Sequence, residues 1–316
     1  MHQLIWRLHR TQVYFAVGAL SVLSILLLVT GATMAHDYHV FLANCTATRS
    51  CSEGAARLFS GDGSIMDLVN FTLVIPLLFG LFWGAPLLAK EFEEGTHNLA
   101  WTQGVTRRRW MESHVIWAIV AAVVWGAAMA ALVSWWRVPE NAIDSRFAAF
   151  DVQGIVPVAY SVFAVALGIA VGSIFRRVLP AIATTLGVFV AIRVAIGVYL
   201  RPHYVTPVST LLPLSGPQSN GPIGSWIISS GIEGPHGHFY GNGFDLSDVP
   251  KACRTTFPGG GSVSNSCMAA HGFHQLITYQ PDSRFWVFQG IEATGFIVMA
   301  IALIGFAFWR VLSRDA

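Results

Sequence analysis

Six apolar runs recur along the chain, near residues 12–34, 67–89, 113–136, 154–175, 178–200 and 286–309. Each is long enough to cross a bilayer core, which takes about 20 residues. The first, from Val13 to Met34, is too long for the apolar region of a secretory signal and lacks a small-x-small cleavage site, so it predicts a retained helix. Ahead of it, "MHQLIWRLHR" sets Met1, Leu4, Ile5 and Leu8 at helical spacing opposite His2, Gln3, Arg7, His9 and Arg10. That pattern predicts an N-terminal interfacial helix whose basic face suits anionic headgroups; a basic start that only orients the first span is the plainer reading. The predicted fold is an all-α polytopic membrane protein with six transmembrane helices, this interfacial helix, a short cytoplasmic helix between spans two and three, and a large external loop between spans five and six. Residues 1–200 hold the interfacial helix, spans one to five and a cytoplasmic loop at 90–112; residues 201–285 form an external lobe; residues 286–316 are span six and a tail.

Composition fixes the solvent, since 54% hydrophobic and 11% charged residues are far from the balance of a water-soluble domain. Charge fixes the sides. Ten of the 19 lysines and arginines crowd into the short segments 1–11, 90–112, 176–177 and 310–316, while the much longer segments 35–66, 137–153 and 201–285 share eight, which predicts that both termini are cytoplasmic. The four cysteines, Cys45, Cys51, Cys253 and Cys267, all fall in the segments assigned to the outside, where disulfides persist. Pairing within segments, Cys45 with Cys51 and Cys253 with Cys267, closes the shortest loops among three possible connectivities. The 201–285 lobe carries 12 of the 30 glycines and 9 of the 14 prolines, so it is expected to be turn-rich, with ordered pieces around 224–232.

Several chemistries are absent. Neither lysine, Lys90 or Lys251, stands in a P-loop context, and no nucleophile elbow or zinc-protease helix occurs, so the chain carries no catalytic motif. His203, His236, His238, His271 and His274 offer nitrogens for a metal, but four cysteines in an oxidising space are better explained as disulfides, and no metal site is assigned. Small residues recur every fourth position at Gly80 and Gly84, at Ala164, Gly168 and Gly172, and at Ala183, Gly187, Ala191 and Ala195, which predicts close helix packing. Two charges lie inside the runs: Arg193 and Glu292, both roughly 10 Å below the external surface at 1.5 Å per residue. They are expected to pair, with outward snorkelling of Arg193 as the alternative.

The most charged stretch, "EFEEGTHNLAWTQGVTRRRW" at 91–110, separates spans two and three. Gly95 is a natural break, Thr96 and Thr106 are candidate N-caps and Gly104 a candidate stop, leaving His97 to Gln103 as a helix about 10 Å long. A helix so short does not hold alone in water, so it must dock. Leu99, Ala100 and Trp101 give it apolar surface, and Glu91, Glu93, Glu94 before it and Arg107 to Arg109 after it offer charges of both signs to a partner protein. A loop whose arginines only enforce topology leaves the acidic half and Trp101 unexplained.

This stretch resembles the cytoplasmic loop of the type-2 class of ATP-binding-cassette (ABC) exporter permeases, particularly those of actinobacteria. The resemblance implies a permease subunit in a bacterial cell membrane, two copies of which form a channel, most simply a homodimer embedded in membrane lipid. It implies partnership with an ABC ATPase that binds the ATP and Mg, none being bound by this chain, and no nucleic acid. The loop helix then becomes the coupling helix, with Glu91, Glu94, Gly95, Thr96, His97, Leu99, Trp101, Gln103 and Arg107 as ATPase-coupling residues; Glu94, Gly95, Thr96 and Gln103 are the positions that match the family's pattern. Transport is expected to be outward, and the aromatic-rich spans favour a hydrophobic or amphipathic substrate. The contrasting reading is an ATPase-independent membrane protein, either an ion-coupled carrier or a membrane-anchored binding or structural protein; carriers place several ionisable groups at mid-membrane.

Overall fold

The computed structural model describes residues 2–44, 67, 69–95, 106–214, 221–222, 224–241, 248–257 and 260–314. The chain divides into two compact units, one of Met1–Ala142, Ala149–Arg201 and Trp286–Ala316, the other of Ile143–Ala148 and Pro202–Phe285.

The first unit is helical. Among the described residues six helices are long and apolar enough to cross a membrane: Val17–Asn44, Val69–Glu93, Arg107–Trp136, Val156–Phe175, Val178–His203 and Asp282–Ser313, called spans one to six. The amphipathic N-terminal stretch is helical and runs without a break into span one, so it forms the first turns of a 43-residue helix, His2–Asn44. The predicted end of span one at Met34 moves to Asn44, because "AHDYHVFLAN" is polar enough to end an apolar run but contains no glycine or proline to end a helix.

Span four is the core of this unit. Its Val156–Phe175 helix has no charged residue and is buried along nearly its whole length, packed against spans two, three and five. A helix apolar on every side belongs inside a bundle. Two of the three small-residue stripes meet here. A methyl group on Gly80 would lie 2.7 Å from the Ala164 carbonyl oxygen, and one on Gly84 2.7 Å from that of Val165, so spans two and four touch backbone to backbone. The third stripe faces elsewhere: Ala183, Gly187, Ala191 and Ala195 of span five are exposed in this chain. Within span two, Gly80–Gly84 form a π-helical turn, and Pro86, which has no N–H for the carbonyl four residues back, stands just beyond it. Span one rests on span three, where Trp136 Nε1 donates to Thr30 Oγ1 at 2.9 Å.

The second unit is the part of this mostly helical protein that carries strands. It carries an antiparallel sheet in the order β1 (Val208–Pro213), β6 (His274–Gln280), β2 (Trp226–Glu233), β3 (Phe239–Tyr240), and a separate hairpin of β4 (Arg254–Phe257) with β5 (Gly260–Val263). Along β1 exposure alternates residue by residue, as a strand covered on one face requires. β6 is central, pairing Val208 with Tyr279 on one side and Trp226 with Gln280 on the other. Leu214, Val249, Cys253, Met268 and Phe273 make a small core. The Ile143–Ala148 segment, from the connection between spans three and four, belongs here because Arg146 forms a two-point ion pair with Asp282 and Ser145 Oγ donates to the Gly224 carbonyl at 3.0 Å.

Candidate functional site

Two groups of residues in the helical unit concentrate charge, one where spans two and three are joined and one where spans four, five and six meet near Asp151.

At the first, the helix of span two ends at Glu93, Glu94 is its C-cap, and Gly95 follows at φ +72°. That left-handed conformation suits glycine, because a Cβ there costs roughly 1–2 kcal/mol. Span three begins at Arg107 with Thr106 as N-cap, its hydroxyl accepting from Arg109 N at 3.4 Å. Gly95 and Thr106 therefore bound the intervening segment. Thr96, His97, Leu99, Trp101 and Gln103 lie outside the described residues, as do Cys45 and Cys51. Glu94 faces Lys90 at 3.8 Å with both side chains more than half exposed, a contact worth little in water. Glu91 and Arg107 are half-buried, and Arg108 pairs with Glu112 at 2.8 Å on the exposed side of span three.

At the second, Arg193 and Glu292 stand 3.5 Å apart, but they are two members of a larger network. Glu292 is fully buried, and its shorter contacts are to Arg201, whose Nε and Nη2 donate to the two carboxylate oxygens at 2.9 and 2.8 Å. Arg201 also reaches Asp151 at 2.5 Å, and Arg193 reaches Asp151 at 3.3 Å. The Tyr160 hydroxyl donates to Glu292, lies 3.0 Å from Asp151 Oδ1, and its ring sits 3.6 Å beneath the Arg193 guanidinium. Phe150 stacks on Arg201 at 4.3 Å. Two carboxylates thus face two guanidinium groups, and the charges cancel in place. Arginine suits this position because its planar fork can engage two acceptors while its face stacks on a ring. Burial by itself would raise the Asp151 carboxyl, yet the charges of Arg193 and Arg201 hold it below the ordinary carboxylate range. Its contribution to stability is full above the ordinary carboxylate pKa and is lost only as pH falls through the depressed folded value, so Asp151 does not switch near neutral pH.

Beside this network Gln289, also fully buried, fastens the start of span four to span six. Its Oε1 accepts from Ile155 N and Val156 N at 3.0 and 2.9 Å, and its Nε2 donates to the Phe150 and Gln153 carbonyls at 2.9 and 3.2 Å. These partners satisfy two backbone donors at the helix start, which no intrahelical bond can reach.

A family described as ABC-2 membrane transporter related matches the sequence over residues 17–201, more than half the chain. The chain belongs to this family. No curated protein and no solved structure matches it. It is therefore an ABC transporter permease and a multi-pass membrane protein, and membership implies partnership with an ABC ATPase. The match takes in the 90–112 loop and all of the charged network except Glu292.

Asp151, Tyr160 and Arg201 of this permease are not singled out by the sequence. Asp151 and Arg201 sit just beyond apolar runs, where they read as loop charges, and a tyrosine in a span is ordinary. A usable signal is that Asp151 and Arg201 flank spans four and five at the same end as Arg193 and Glu292. A second buried pair, Arg137 with Glu140 at 2.8 Å, closes span three and is equally silent in the sequence.

In the second unit Cys253 and Cys267 are brought together in disulfide geometry, with Cα atoms 5.4 Å apart. His271 is 3.5 Å from Cys253 Sγ, and its Nδ1 also lies 2.9 Å from the Cys267 carbonyl. Sulfurs joined to each other have no thiolate to offer zinc, so this arrangement favours the covalent bridge over a metal. Non-reducing peptide mapping is expected to recover Cys253 linked to Cys267; free thiols, or a link from either to Cys45 or Cys51, would contradict it.

Proposed function

We propose that this permease exports a hydrophobic or amphipathic compound using ATP hydrolysed by a separate ABC ATPase, and that the ATPase seats on the 91–107 segment. Both termini and this loop then face the cytoplasm, the Pro202–Phe285 unit lies outside, and a second copy of the chain completes the pathway, with the exposed small-residue stripe of span five as its candidate seat. Family membership carries the reading, and the loop supports it: a short segment held between a left-handed glycine and a side-chain N-cap, with acid on one flank and base on the other, joined directly to two membrane-crossing helices. The ion-coupled alternative draws on the buried charges, but Asp151 and Glu292 are matched by Arg193 and Arg201 within contact distance.

The loop makes a specific test available. Because the Glu94 side chain makes, among the described residues, only a solvent-exposed pair with Lys90, Glu94→Ala is expected to leave insertion and thermal stability unchanged while weakening co-purification of the ATPase and substrate-stimulated ATP hydrolysis several-fold. Gly95→Val acts differently. Among the described residues no atom lies within 4 Å of its Cβ position, so the change strains the left-handed turn without a clash there and should misdirect the loop by the same measure. Parent-like ATPase binding and stimulation in both variants would count against the 91–107 segment as the seat.

A further inference from the structure

Three contacts join the ends of four spans beside the 91–107 loop. Val178 N, at the first position of span five's helix, donates to Glu93 Oε2 at 2.9 Å. One residue earlier in span two, the Phe92 ring lies 5.1 Å from the Arg176 guanidinium, and Arg176 is the left-handed residue, φ +53°, that ends span four. Arg310 of span six donates from Nε to the Ser173 carbonyl of span four at 3.0 Å. Only Arg176 and Arg177 separate the helices of spans four and five, so these contacts leave little slack.

We propose that Glu93 is a positioning residue for coupling: through the Val178 N–H it ties the loop end of span two to spans four and five, so that a push on the loop moves spans two, four and five together. This rests on the reading of the loop as the ATPase seat. The physical case begins with the start of span five. Arg177, the N-cap of that helix, provides no side-chain acceptor, and the first backbone N–H groups of a helix have no partner within it. A carboxylate from another helix fills that place, and the positive end of the helix dipole favours it there. Of the three glutamates, Glu94 turns to Lys90 and solvent, while Glu93 is aimed at span five. Arg310 then carries the linkage to span six, because the last carbonyls of span four, at Ser173 and Ile174, are held by its guanidinium. The linkage has two ends that can be cut separately.

The test uses the full permease with its ATPase in proteoliposomes, with Glu93→Ala, Glu93→Gln and Val178→Pro. Proline is well tolerated at the first position of a helix and removes the N–H without touching the loop; the extended backbone of Arg177, φ −137°, suits a following proline. Val178→Pro, which lies outside the loop, is expected to retain bound ATPase and basal hydrolysis, and both it and Glu93→Ala to lose substrate transported per ATP by about threefold or more, the scale of a lost solvent-exposed charged contact. Glu93→Gln, which keeps an acceptor oxygen, should recover most of the loss. Parent-like transport in Glu93→Ala would overturn the proposal. So would a coupled Val178→Pro beside an uncoupled Glu93→Ala, since this means that Glu93 acts through something other than the Val178 N–H. If the parent permease binds no ATPase, it is the exporter reading that fails, which separates the two.

Discussion

Arg201→Ala should be the most damaging single substitution in the helical unit. Arg201 contacts both oxygens of Glu292, both of Asp151 and the Tyr160 hydroxyl, and its removal leaves two carboxylates with Arg193 at 3.3 and 3.5 Å as their nearest remaining cation. Stripping one partner from a buried ion cluster costs about 3 to 5 kcal/mol. The expected result is a large fall in the yield of monodisperse protein and in its unfolding midpoint in detergent. Arg193→Ala should cost less, because its contacts are longer and Arg201 still bridges the acids. Arg201→Lys should not restore stability, since one ammonium does not reproduce a fork that spans two carboxylates. Exchanging Arg193 and Glu292 also tests the arrangement: a simple pair tolerates the exchange, whereas here it places an arginine at 292 against Arg201 and should fail. A stable, well-expressed Arg201→Ala protein would remove the network from the account.

Gly168→Val is expected to be nearly as harmful, for a steric reason. A Cβ at Gly168 would sit 2.5 Å from Ala85 N, 2.6 Å from the Gly80 carbonyl oxygen and 2.7 Å from the Gly84 carbonyl carbon. All three are backbone atoms, so no rotamer relieves the overlap and spans two and four must separate. Overpacking a tight core costs about 1 to 3 kcal/mol, and contact with backbone puts this site at the upper end or beyond. Gly187→Leu provides the control, because nothing lies within 4 Å of its Cβ position. It should leave the chain's own stability unchanged, and any effect confined to the assembled transporter would locate a second copy at span five. Equal tolerance at Gly168 and Gly187, measured as unfolding midpoints, would show that the close approach of spans two and four is wrong.

How much of this was readable from residues alone depends on the kind of signal. Uninterrupted apolarity is a strong local signal, and each of the six runs corresponds to a long helix. Helix ends are weaker where no breaker stands, which is why span one continues to Asn44. Equal depth in two runs brings Arg193 and Glu292 to one level, and the fold places them in contact. Depth does not reveal company, however. Asp151 lies between runs and Arg201 at the edge of one, and only the fold shows both turned inward onto Glu292. Glu93 illustrates a different limit. The glutamates at 91, 93 and 94 form one acidic cluster in sequence, but successive helical residues point about 100° apart, and only the packing of span two on span five decides which one meets Val178 N. The sheet of the second unit was hidden by its glycines and prolines. Its strands are short, and β1 and β6 pair across more than 60 residues of chain, a separation that local patterning does not report.

The central claim is that this chain carries substrate only when an ATPase acts on its 91–107 segment. The most direct measurement is ATP-dependent substrate movement in proteoliposomes containing the permease and its ATPase, compared across the parent, Glu94→Ala and Gly95→Val, with ATP hydrolysis followed in the same vesicles. The account predicts that the parent accumulates substrate away from the ATPase side only with hydrolysable ATP, and that both variants insert normally yet lose most of that transport and of the substrate-stimulated hydrolysis. Substrate movement by the permease alone, driven by an ion gradient and indifferent to ATP and to these substitutions, would contradict it.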